Sequence, residues 1–264
     1  MTALLLAVTL AISLEEFDGL TAYHQGLILR ADAVAARPHF RRAAVQFDAQ
    51  WDEPASRSPG LARRRGQAWH LAGDVGRGIA AYRDGLRLYP ADEGLLTRLE
   101  FTRGQVALPR DGELAEACRP LPPPAMLPVP PVAVFSGLIV VNLVGGIWLA
   151  RWRLTHSRGA LATGAVCFLG SWASAWGWHE STERAARHWA EPTAVVAEPA
   201  TLRTGNNAEY PAMFSQPIPA GVEVTPLGER GGWLRVRLPG GRAGWLPAEV
   251  YVPSAAREAS RERQ

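Results

Sequence analysis

His179, Glu180 and Glu183 come nearest to a catalytic signature in this chain of 264 residues. A His-Glu pair opens the zinc-protease motif, in which two histidines one helical turn apart hold the metal and the Glu serves as base. Position 183 is Glu, so the second metal ligand is missing. The two cysteines, Cys118 and Cys167, cannot make a four-thiolate zinc site, and no closely spaced Cys and His pairs complete a mixed one. Cys167 lies in an apolar run and Cys118 in a polar stretch, so no disulfide is expected. No Gly-x-Ser-x-Gly elbow and no phosphate loop occur. The 25 carboxylates are scattered singly or beside Arg. These residues predict neither an enzyme nor a bound cofactor or metal.

The elements that surround these residues are more telling. Charges of both signs run along the chain with a net of +3, which gives nucleic acid no basic patch to bind. Every basic residue is Arg, a compositional bias that implies no arginine chemistry. Residues 1–14 carry an apolar core of signal-peptide length, too short to span a bilayer. No Arg or Lys precedes that core and no Ala-x-Ala site follows it, so a buried first helix is the alternative. Residues 15–117 read as a helical domain. Residues 118–131 are rich in Pro, which fixes φ and removes backbone donors, and predict a stiff extended linker.

Val132 to Ala150 is uncharged over 19 residues, about 28 Å as a helix against a hydrocarbon core of roughly 30 Å. A second uncharged run, 160–178, is richer in Gly, Ala and Ser, which let helices approach closely in lipid. Trp148, Trp152, Trp172, Trp176 and Trp178 gather near the run ends, where interfacial Trp is favoured. The sequence therefore predicts a two-helix transmembrane hairpin in the lipid bilayer; two buried helices of a large domain are the alternative. Arg151, Arg153 and Arg158 place the 151–159 loop in the cytoplasm and both flanks outside. Residues 179–191 read as a charged connecting helix, 192–254 as short strands, and 255–264 as a disordered tail.

Within the helical part, Gly66, Trp69 and Gly73, then Gly78, Ile79, Tyr82, Gly85 and Leu86 before Pro90, set small residues against aromatics on two successive helices. This resembles a tetratricopeptide repeat, with Arg65 standing where an apolar residue is usual. A looser unit uses Leu20, Tyr23 and Leu27 with Ala36, Phe40 and Ala43. It is offset by 42 residues, with the extra length placed at Trp51–Gly60, and Gly94–Gln105 supplies a capping helix. The resemblance implies a concave protein-binding surface presenting Arg63, Gln67 and His70, plus Thr21 and Gln25. Arg63, Gln67 and His70 share one helical face at i, i+4 and i+7; a solvated polar face without a ligand is the alternative.

In the last part, Val222 and Val224, then Leu234, Val236 and Leu238, alternate as half-buried strands do, and Pro239-Gly240-Gly241-Arg242 reads as a hairpin turn. The order of an opening Leu-Arg, Gly-Val-x-Val, Gly-Trp-x-x-Val and Gly-Trp-Leu resembles a bacterial SH3-like domain and implies a small β-barrel. Trp233 and Trp245 are its candidate ligand-binding residues, unless both are framework. The expected fold is thus multidomain α and β: tetratricopeptide-like helices, a transmembrane hairpin and an SH3-like barrel. That order resembles the repeat-and-SH3 proteins of bacterial Bat-type (aerotolerance) operons. The resemblance implies a non-catalytic adaptor in the inner membrane with its modules periplasmic, working beside von Willebrand-type proteins and a MoxR-like ATPase. A peptidoglycan anchor or sensor is the second expectation.

Overall fold

The computed structural model describes residues 18–120, 122 and 131–253. The predicted signal segment, most of the Pro-rich linker and the tail lie outside these. The fold is mixed α and β. Helices occupy 18–28 (α1), Ala33–Asp52 (α2), Pro59–Leu71 (α3), Val75–Leu88 (α4), Glu93–Arg103 (α5), Glu113–Cys118 (α6), Pro131–Thr155 (α7) and Arg158–Ala190 (α8). Strands are Ala194–Val196 (β1), Glu223–Arg230 (β2), Trp233–Arg237 (β3), Ala243–Pro247 (β4) and Tyr251–Pro253 (β5).

Short polar side chains start the first helices. Asp32, Ser58, Asp74 and Asp92 each accept a backbone N–H of the first turn of α2 to α5, satisfying donors a helix leaves orphaned. Gly73, at φ +86°, makes the turn between α3 and α4 that a residue with a Cβ resists. Pro38 lies beyond the first turn of α2, so the helix continues through it with one backbone bond fewer.

The small residues named from the sequence stand at helix crossings. A Cβ on Gly66 would come within 2.4 Å of the Tyr82 ring, and one on Gly85 within 2.7 Å of Ala62. Arg65 keeps its odd place because α2 and α4 each present a carboxylate. It pairs with Asp48 and donates to Asp84 at 2.9 Å, while the Trp69 indole donates to the other Asp48 oxygen at 2.9 Å.

The strands form one antiparallel sheet in the order β4-β3-β2-β1-β5. It is open: β4 and β5 are its edges, and the closed barrel implied by the SH3-like resemblance is not formed by these strands. Gly231 and Gly232, both at positive φ, make the tight β2–β3 turn. Isolated bridges tie Arg203 to Trp245 and Ala212, and Ala200 to Ile218.

The described residues of the two flanks, 18–122 and 189–253, are one compact unit, whereas 131–188 form a second. The core under the sheet, with Val224, Leu234, Val236 and Leu246, is completed by Leu114, Ala117 and Cys118 from α6. The Gly240 N–H donates to the Ala117 carbonyl at 2.9 Å. A Cβ on Gly76 of α4 would strike the Val196 carbonyl at 2.7 Å. Helices and strands of the flanks are therefore packed as a single body.

In the second unit, α7 is one helix long and apolar enough to cross a membrane, and its side chains are almost all exposed. The expected second span and connecting helix form a single helix, α8, 33 residues long. Phe135 meets Trp178 edge-on, Asn142 donates to Ser171 at 2.7 Å, and a Cβ on Gly164 would press on Leu149 at 2.8 Å. The numbers falling on one helix as they rise on the other mark an antiparallel pairing. His156, at φ +49°, makes the turn between them.

Candidate protein-binding face

The polar stripe of α3 faces α5, and its three residues meet α5 at a constant offset. The Arg63 side chain lies across Gly94, where a Cβ would come within 2.7 Å of Nη1. Gln67 accepts from Arg98 Nη1 at 3.0 Å, and the His70 ring meets Phe101 edge-on at 5.7 Å. Gln67 and Arg98 are 31 residues apart, as are His70 and Phe101. Thr21 and Gln25 sit exposed, one turn apart, on α1. Between them Tyr23 packs on Phe40 and Phe47 of α2.

The electrostatics centre on Arg98, which is exposed. Burial pushes the Tyr82 phenol up to about 12 against the opposing pull of Arg98. Burial also raises Tyr23, again with Arg98 acting the other way, so the guanidinium stands near side chains of α1, α3 and α4. Burial lowers His70, and its Nδ1 is enclosed without a hydrogen-bond partner among the described residues. The cause is desolvation, which penalises the charged form. Phe101 is 62 % exposed beside it. Arg98 and Phe101 are the residues that sequence reasoning missed. The signal was available: the capping helix repeats the α3 face at the same spacing.

The two tryptophans lie on the outer face of the sheet. In β3, Leu234 and Val236 are buried, while Arg235 and Arg237 are exposed on the side that Trp233 shares. Trp245 stands directly opposite Arg235 in β4. Both rings are half-buried. The result is a Trp-Arg platform, and the strand is regular there; the bulge falls in β2 between Pro226 and Gly228.

The remaining charged clusters hold the flanking unit together. Glu223 accepts two bonds from Arg103, at 2.6 and 2.9 Å, and pairs with Arg83, which donates to Thr193 at 2.8 Å. The Arg83 guanidinium also lies over the Trp189 ring at 5.2 Å. Burial alone would raise the Glu223 carboxyl, but Arg83 and Arg103 hold it below its ordinary value. Asp48, Arg65, Trp69 and Arg77 line a cleft of about 330 Å³ with Tyr251 and Val252; Arg65 pairs there with Asp48, and Arg77 pairs with Asp74. In the second unit, Glu180, from the incomplete zinc-like motif, pairs with Arg184 and Arg187. Among the described residues no group of three His, Cys, Asp or Glu is placed to hold a metal ion.

No family model, no curated protein and no solved structure matches this chain.

Proposed function

We propose that the protein is a non-catalytic adaptor held in the bacterial inner membrane, which gathers envelope proteins through the α3–α5 face. The observation that carries this reading is the exposed Phe101 beside the exposed Arg98 guanidinium. An exposed aromatic next to a cation is the kind of pair that anchors protein contacts. α1, α3 and α5 lend it the form of a tetratricopeptide-like concave surface. On this reading Arg63, Gln67, Thr21 and Gln25 border the bound segment, and the partners are the von Willebrand-type and MoxR-associated proteins implied by the Bat-type resemblance.

The shared core of the flanks supports a two-pass topology with both flanks periplasmic. If α7 enters the bilayer, a body built from both flanks requires the chain to return to the same side, and α8 is the segment available. The Asn142–Ser171 bond satisfies polar groups that lipid would leave unpaired. The Arg-rich turn at 151–158 directs the loop inward.

The adaptor reading is tested by crosslinking intact membranes and recovering the full chain with its neighbours. Arg98→Glu with Phe101→Ala should abolish recovery of a partner that the parent chain retains. Equal recovery by both overturns it. The Trp233, Arg235 and Trp245 platform favours a second reading, a peptidoglycan anchor with the SH3-like part as binding module. Co-sedimentation of the detergent-solubilised full chain with sacculi, lost in Trp233→Ala with Trp245→Ala, would support it.

A further inference from the structure

The α1–α2 turn and the outer face of α2 are unusual for a water-exposed surface. Ile28 is 80 % exposed and Val34 78 %, with Leu29 between them also exposed. Val34, Pro38, Arg41 and Val45 follow at i, i+4, i+7 and i+11, which sets them on one stripe of α2. All four are exposed. Arg30 and Arg37 are exposed as well; the Arg37 side chain passes over Gly73, and Arg41 also lines the cleft at the α3–α4 turn.

The charge on this surface is one-sided. From Ala33 to Phe47 α2 has three Arg and no carboxylate. Asp32 is committed to the Val34 and Ala35 N–H groups as the helix cap, and Arg42 to Asp18. The first acid of α2, Asp48, serves Arg65 and Trp69. Arg30, Arg37 and Arg41 have no carboxylate partner among the described residues. Exposed aliphatics cost free energy in water, and exposed cations without a carboxylate partner are free to meet an anionic surface.

Both features suit a surface that is apolar below and anionic above. We propose that the α1–α2 turn and the outer face of α2 form an in-plane contact with anionic lipid. Ile28, Leu29 and Val34 enter the acyl boundary while the Arg side chains lie along the apolar layer with their heads among lipid phosphates. The inference rests on α7 crossing that same bilayer, which keeps the surface at high local lipid concentration.

The test uses the full chain reconstituted in phosphatidylcholine vesicles with or without phosphatidylglycerol. Cys118→Ala and Cys167→Ala remove the native thiols, and a polarity-sensitive dye is attached at Ile28→Cys, or at Ile139→Cys in α7, or at Arg230→Cys in the β2–β3 hairpin. With phosphatidylglycerol present, the dye at 28 should shift to the blue and be quenched by spin-labelled lipid, and the dye at 230 should do neither. Raised salt, or Arg37→Glu with Arg41→Glu, should reverse the shift at 28. A quenched dye at 139 with an aqueous dye at 28 overturns this contact alone. Aqueous dyes at both overturn the anchoring of α7 and the contact with it. A shift at 28 that follows protein density at constant lipid composition assigns the face to a second copy and overturns the lipid contact.

Discussion

In the flanking unit Ile79, Leu86, Leu99 and Leu234 are fully enclosed, while α7 and α8 turn Ile139, Leu143, Ile147, Leu169 and Trp172 outward. Polar groups follow the opposite pattern. The flanking unit uses buried Arg-carboxylate clusters, Arg83 and Arg103 on Glu223 and Arg65 on Asp48 and Asp84. The helical pair has one neutral bond, Asn142 to Ser171, and close glycines at 145 and 164. In water, burying apolar surface drives folding and a buried charge is tolerated when fully paired. On the proposed membrane reading the helical pair lies in lipid, where apolar surface gains nothing by hiding, and close packing with a few hydrogen bonds holds helices together.

The comparison breaks most sharply at Glu223. Glu223→Ala should cost the flanking unit about 3–5 kcal/mol, because two buried guanidinium groups lose their shared partner. Denaturant unfolding of the full chain in mild detergent, followed by far-ultraviolet circular dichroism, measures it. The same carboxyl makes the unit acid-sensitive. Its folded pKa lies below the ordinary 4.5, so its contribution is present above that value and lost as pH falls through the folded one. Glu223→Gln should remove that part of the acid dependence.

A charge placed at the middle of α7 should act on insertion and spare the flanking fold. Leu143→Arg is expected to weaken membrane integration by about 2.5–3.5 kcal/mol, read from the fraction extracted by alkaline carbonate. Val45→Arg, on the exposed face of α2, should leave that fraction unchanged. Glycines sharpen the contrast. Gly66→Ala forces a methyl into the Tyr82 ring and should destabilise the flanking unit by about 1–3 kcal/mol in the same unfolding experiment. A Cβ on Gly146 meets nothing within 4 Å, so Gly146→Ala should leave the thermal unfolding of the chain unchanged. The smallest non-zero effect belongs to the interhelical bond. Ser171→Ala should loosen the helical pair by about 0.6 kcal/mol, measured by steric trapping in bicelles.

Local features were readable before any coordinates. The apolar run from 132 names its own helix because length and absence of charge are properties of a segment. Alternation at Leu234 and Val236 names a half-buried strand for the same reason, and Gly66 with Tyr82 names a helix crossing. The candidate face was half legible: Arg63, Gln67 and His70 share a stripe by spacing, but Arg98 and Phe101 complete it from another helix. Trp233 and Trp245 were legible as residues and not as a platform, since strand register decides that Trp245 opposes Arg235.

Sequence by itself determined the segments: where a run of Pro forbids helix, where apolar length suffices to cross a bilayer, and where strands alternate. These follow from neighbours one to seven residues apart. Only the tertiary structure decided that both flanks build a single core, that Glu223 joins Arg83 and Arg103 across separations of 140 and 120 residues, and that Arg65 has two acids waiting for it. The physical reason is that a buried charge becomes affordable only when distant elements bring its partners within hydrogen-bond reach, and no local pattern of residues records that meeting.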